Sequence, residues 1–327
     1  MILLGGSMSI EDSLNISFSM IKQKYGNEDC TQLPIEMIGV SLTGFLLYYG
    51  DWILPILQQL FLESKFFLEP RPLESIIKSR QMQDMKYFSE DSFLDCSAIS
   101  TSNHLYYFEK DGTCIFEQDY PKLFCSTLGI SQNDLLNIYT HELNHLLKSK
   151  LRSHGKIDQT GYWLRNGIHY FTSYYNDGFI YESQQAEILD EVINVFQTSD
   201  IMKEIKQLTH SKNLSYSLEE YLKTLDFDTL DEPFGYTSAA IMLDSLWNRT
   251  HFKEQIKKPL VIGNISVIKK HFNTMVGDDL FTSFADSFDE LENPQATEES
   301  FKNAVQFIRD TTKLYQLHES FCYKKRI

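Results

Sequence analysis

The chain has no C-x-x-C pair. Its five cysteines, Cys30, Cys96, Cys114, Cys125 and Cys322, are scattered and odd in number, which argues against a thiolate zinc knuckle and against a disulfide framework. Reduced thiols in a cytoplasmic protein are the expectation. Basic charge is scarce too: 30 Lys and Arg stand against 45 Asp and Glu, a formal net charge of −15. Such a balance disfavours nucleic acid, or an anionic membrane, as a partner held by general electrostatics. No apolar run reaches the roughly 20 uninterrupted residues that a membrane span requires. The most apolar stretch, Met37 to Glu63, is broken by Gly50, Asp51 and Pro55 and reads as a buried helix or helix pair. The N-terminus lacks a basic region, and its apolar run is too short for a signal peptide. There is no internal repeat, low-complexity tract or Gly/Ser linker.

What remains is an ordinary globular composition over 327 residues, enough for one large domain or two modest ones. Spaced apolar residues predict helices over Ile10–Tyr25, within the apolar stretch, and over Leu73–Tyr87 after Pro70 and Pro72. The period then changes. "HLYYFEKDGTCIFEQ" and "GIHYFTSYYNDGFIYES" each place aromatic and apolar runs around a turn, Lys110-Asp111-Gly112 and Asn176-Asp177-Gly178, and predict hairpins. From Gln184 onward helical periodicity returns, over Gln184–Gln197, Leu218–Leu225, Thr237–Trp247, Ser266–Met275 and Glu298–Leu317. The expected organisation is a helical region over 1–90, a hairpin-rich core over 91–200 and a helical region over 201–327.

Between the hairpins lies "LLNIYTHELNHLLKSK", Leu135 to Lys150. Ser131 with Asp134 three residues on resembles a capping box and starts the helix. At about 100° per residue, Leu135, Leu136, Tyr139, Leu143, Leu146 and Leu147 form one stripe. His141 and His145 fall on roughly the opposite side, with Glu142 at the margin. Between Asn137 and Leu147 the only charge is Glu142, so the helix is expected to be covered on most of its circumference. Imidazoles at i and i+4 project in parallel from adjacent turns and can reach one tetrahedral zinc. Glu142, one position round, can approach a water on that metal as general base.

A catalytic zinc keeps three protein ligands and one open position. The spacing with a third histidine six residues on is excluded, because Lys148 fills its glycine slot and Leu151 its histidine slot. His154 and His169 fit no familiar spacing. In "AEILDEVINVFQT", Ile188, Leu189, Val192, Val195 and Phe196 form a stripe that Glu191 borders, and Glu187 lies one turn back. A carboxylate at the edge of an apolar stripe is costly unless it is paired or binds a cation. Both glutamates stand as candidates.

"IYTHELNHLL" followed by "ILDEVINVF" resembles the gluzincin class of zinc metallopeptidases, thermolysin-like in the broad sense, over about residues 100 to 200. "LDEVINVF" is also similar to the glutamate segment of uncharacterised bacterial HExxH proteins. The resemblance implies His141, His145 and Glu191 as zinc ligands and Glu142 as catalytic base. It places an oxyanion-stabilising residue downstream, where "DEPFGYTSAAIMLDSLW" offers Tyr236; Tyr174, Tyr175 and Tyr181 are the other candidates. Two positions depart from the family pattern. Asp190 replaces an asparagine, and Val195 stands where an acidic residue would orient a ligand histidine. Asn194 is the candidate for that task.

The resemblance implies an α+β, zincin-like fold, mostly helical, with a small antiparallel sheet packed on the HExxH helix. Its function would be zinc-dependent hydrolysis of a peptide or protein substrate bound as an added strand. Two other readings are a regulatory HExxH protein acting on one partner such as a repressor, and a zinc-binding protein without hydrolytic activity. The first carries the glutamate helix too, but Asn194 and Phe196 are each displaced by one position from its pattern.

Overall fold

The structure is a computed structural model. It describes the backbone of residues 19–23, 34–63, 65–69, 98–101, 105–108, 114–117, 122–126, 130–156, 159–176, 179–210, 214–226 and 236–324. Side chains are described over 19–23, 34–62, 130–149, 167–170, 185–210, 214–226 and 236–322. The sequence-predicted helix at Leu73–Tyr87, the Lys110-Asp111-Gly112 turn, Asp177 and Gly178 lie outside the described residues, as does most of Ile10–Tyr25. The chain forms two compact units. One comprises Met1–Tyr107, Ile115–Leu147 and Gln197–Glu232, the other Phe108–Cys114, Lys148–Phe196 and Pro233–Ile327.

In the first unit the apolar stretch becomes two helices, α1 (Ile35–Tyr49) and α2 (Leu54–Glu63), separated at Gly50 by a short 3-10 turn. Twelve residues of α1 are buried, as a helix apolar all round should be. No helix among the described residues is long and apolar enough to cross a membrane. The HELNH segment is helix α3 (Gln132–Lys148), begun as the capping box predicts: Ser131 Oγ accepts from the Asp134 N–H at 3.2 Å and donates to Asp134 Oδ2 at 2.6 Å. Asn133 exchanges two hydrogen bonds with the Asp226 backbone, just past helix α5 (Tyr216–Leu222). Helix α4 (Glu187–Gln207) supplies its second half to this unit. There α1 approaches closely, because a Cβ at Gly44 would meet Ile205 Cγ1 at 2.7 Å and Ile201 Cγ2 at 2.9 Å. The backbone also includes strands β1 (Lys65–Glu69), β2 (Ala98–Thr101), β3 (Leu105–Phe108), β4 (Cys114–Glu117) and β5 (Lys122–Ser126). β5 runs parallel to β1 and antiparallel to β2.

In the second unit the backbone after α3 runs as a meander of β6 (Ser149–Lys156), β7 (Gln159–Asn166), β8 (His169–Asn176) and β9 (Phe179–Gln185). Five helices follow: α6 (Thr237–Arg249), α7 (Phe252–Ile262), α8 (Ile265–Val276), α9 (Phe281–Leu291) and α10 (Glu298–Lys324). Their core holds Trp247, Phe252, Phe272, Phe284, Phe288 and Tyr315, and the first half of α4 packs into it through Leu189, Val192, Ile193 and Phe196. The Phe196 and Trp247 rings lie 5.8 Å apart. Helices α7 and α9 carry no sequence prediction. Pro259 sits inside α7 and spoils its signal by the usual rule that proline ends helices.

The expected α+β class is overturned. Where side chains are described, regular structure is helical, and strands contribute only their ends, such as His169–Tyr170. The expected sheet packed on the HELNH helix is not what holds that helix. Apart from Asn133 at its start, its described polar contacts run to helices instead: Thr140 to Ser41 of α1, Asn144 to Tyr49 of α1 and Gln197 of α4, Lys148 to Asp190 of α4. The reason is physical. Helix α3 is buried on almost every side, so it demands neighbours around its whole circumference, and aromatic alternation in the following strands gave no information on what those neighbours are.

Candidate metal centre

The sequence stripe of α3 is buried throughout, and so is much of the other side: His145 is 4 % exposed, and Thr140, Asn144 and Lys148 are fully buried. His141 and Glu142 are half-buried. Helix α4 likewise buries polar residues along one line, Asp190, Asn194, Gln197 and Thr198. Two polar lines at helical spacing, one on each helix, meet at both ends. In the first unit Asn144 Nδ2 donates to Gln197 Oε1 at 3.2 Å. In the second unit Lys148 Nζ lies 3.8 Å from Asp190 Oδ2.

His141, His145 and Glu191 each offer one ligand atom, and all three atoms lie within 4.8 Å of one another. The imidazole rings meet edge to face with centroids 4.7 Å apart, and the two Nε2 atoms are 3.1 Å apart. Two nitrogens bound to one tetrahedral zinc at about 2.0–2.1 Å would be separated by roughly 3.3 Å. The spacing of the histidines thus fits a shared metal with little movement, and two imidazoles with one carboxylate form a donor set that zinc and other divalent transition metals take.

Glu187 takes a different place. It occupies the first turn of α4, which is held from α9. Asp289 Oδ1 accepts the Ile188 N–H at 2.9 Å. Burial pushes the Asp289 carboxyl up from the usual carboxylate range, the Ile188 and Ala186 amides pull it back, and the Glu187 charge nearby raises it again. Glu187 therefore faces an acidic neighbour, while Glu191, one turn on, joins the histidines. Ala186, just before the helix, is left-handed with φ 59°, so this entry to α4 is strained in a non-glycine residue.

Of the other sequence candidates, Asn194 is fully buried and lies one turn after Glu191. Tyr236 is the N-cap of α6, left-handed at φ 48° and 36 % exposed. His169 is half-buried at the start of β8. The side chains of His154, Tyr174, Tyr175 and Tyr181 lie outside the described residues. Sequence reasoning missed the part played by Lys148, Asp190 and Gly167, although the Asn166-Gly167 dipeptide is a hairpin signal.

Comparison with protein-family models, with curated proteins and with solved structures finds no match for this chain.

Proposed function

We propose that the protein is a zinc-dependent metallopeptidase, with His141, His145 and Glu191 holding the metal and Glu142 acting as general base. The observation that carries this reading is the convergence of one ring nitrogen from each of His141 and His145 and one Glu191 oxygen within 4.8 Å, beside a glutamate that follows the first histidine. Zinc, when bound, supplies Lewis acidity that makes a water nucleophilic at neutral pH and polarises a carbonyl. The residues of the chain do the rest. Glu142 takes the proton from the attacking water and delivers it to the leaving amine. Tyr236, whose hydroxyl is a donor of the right kind, is proposed to stabilise the oxyanion. The substrate class is a peptide or unfolded protein, and the proposed setting is the cytoplasm.

The test is hydrolysis of an unfolded protein by zinc-loaded enzyme. Glu142→Gln should retain the metal and the fold and lose at least about 10²-fold in rate, the usual worth of a general base. Turnover by Glu142→Gln near the wild-type rate would remove Glu142 from this role. Zinc bound with no hydrolysis of any unfolded protein by the wild type would favour a binding protein.

A further inference from the structure

We propose that Lys148 and Asp190 are positioning residues for Glu191: their buried pair, anchored to the tip of the β7–β8 hairpin, holds the turn of α4 that carries the third metal ligand. The inference rests on the metal reading of His141, His145 and Glu191 and names what keeps that set together.

Lys148 is the last residue of α3, three residues after His145, and Asp190 immediately precedes Glu191. Lys148 Nζ and Asp190 Oδ2 are 3.8 Å apart, and neither side chain is more than 1 % exposed. The other carboxylate oxygen, Asp190 Oδ1, accepts the Ile168 N–H at 2.7 Å. Ile168 belongs to a two-residue hairpin tip, since Asn166 pairs with His169 across Gly167 and Ile168. Gly167 has φ +60° and Ile168 does not share that sign, the arrangement of a turn with glycine at its first central position. A Cβ on Gly167 would also fall 2.0 Å from Asp190 Oδ1. Glycine is required there twice, by backbone conformation and by the closeness of the carboxylate.

Energetics argue that the pair is there for geometry. Removing two charges from water costs several kcal/mol for each, and their attraction returns this only at good geometry. At 3.8 Å the contact exceeds hydrogen-bond length, so it is a poor source of net stability. What it does is restrict α4. Sliding that helix by one residue, or rotating it, would pull Asp190 off both the ammonium and the Ile168 amide. With Asp190 held, Glu191 is turned about 100° round the helix, the direction in which it meets His141 and His145.

The test is the affinity for Zn2+, by competition with a chromophoric chelator, together with the visible absorption of the Co2+ form. The variants are Asp190→Asn, Gly167→Ala, Glu191→Ala and the double variant Asp190→Asn/Glu191→Ala, each with circular dichroism to establish folding. Folded Asp190→Asn and Gly167→Ala should bind Zn2+ about tenfold or more weakly, the usual effect of losing support behind a ligand, with a changed Co2+ spectrum. In the Glu191→Ala background, Asp190→Asn should add little, because the ligand it positions is gone. Wild-type affinity and spectrum in the folded single variants, or losses that multiply in the double variant, would overturn the positioning role while leaving the metal site in place. Should the single variants unfold, Lys148→Met/Asp190→Leu refills the volume without charge, and wild-type Zn2+ affinity in that protein would overturn the role equally. A wild-type protein that binds neither Zn2+ nor Co2+ overturns the metal reading itself, and this inference with it.

Discussion

Tyr49 donates a hydrogen bond from its hydroxyl to Asn144 Oδ1 across 2.7 Å, both groups buried, and Asn144 passes the chain on to Gln197 Oε1. Three helices are joined through one side chain that sits directly before His145. Asn144→Ala withdraws a partner from Tyr49 and from Gln197 in a dry setting, where each such loss costs about 1–3 kcal/mol. Tyr49→Phe removes only one of those bonds. Urea denaturation should rank Asn144→Ala below Tyr49→Phe and both below wild type; equal stability of Asn144→Ala and wild type would contradict the network.

Asp289 caps α4 from another helix, so its removal should be felt at the helix that carries Glu191. Asp289→Ala should cost about 1 kcal/mol, as loss of a cap does, measured by chemical denaturation. Asp289→Asn keeps an acceptor for the Ile188 amide and should be tolerated better. The pH dependence has a definite sign. Burial raises the folded pKa of Asp289 above its unfolded value, so its contribution to stability is fully present below the unfolded pKa and is lost as pH rises through the folded one. Asp289→Asn should therefore gain on wild type as pH rises from acid towards neutral. A stability difference that is flat with pH would show that the carboxyl is not perturbed.

Glu191 and Glu187 separate the ligand from its neighbour. Glu191→Ala should weaken zinc binding by about tenfold or more, the scale for a ligand or its close support. Glu187→Ala should leave metal affinity unchanged, because its surroundings are Asp289 and the start of α4 rather than the histidines. Metal titration giving the reverse order would move the third ligand to Glu187.

Part of the candidate site was readable from spacing: His141 and His145 lie four residues apart on a helix whose start Ser131 and Asp134 marked. Spacing left Glu187 and Glu191 both open, and the family resemblance favoured Glu191, the one that lies with the two histidines. The fold around them was less readable. The apolar stretch at Met37–Glu63 declared itself buried, yet nothing in it says that Ser41 and Tyr49 would meet Thr140 and Asn144, residues almost a hundred positions away. The lack of charge other than Glu142 between Asn137 and Leu147 pointed to a helix covered on most of its circumference, and His145 is covered. What covers it was not legible, because α3 and α4 both carry buried polar residues, Asn144 with Gln197 and Lys148 with Asp190, and a polar residue facing a polar partner has no signature in hydrophobic periodicity. Lys148 illustrates the same limit. It reads as the charged end of a helix, while in the structure it is fully buried against Asp190.

Zinc content bears most directly on the account. Protein purified without chelator should carry about one zinc per chain by elemental analysis, and His141→Ala or His145→Ala should lose it, since two ligands hold the ion weakly. Wild-type protein that is folded, free of transition metal and unable to take up added Zn2+ would contradict the account at its centre.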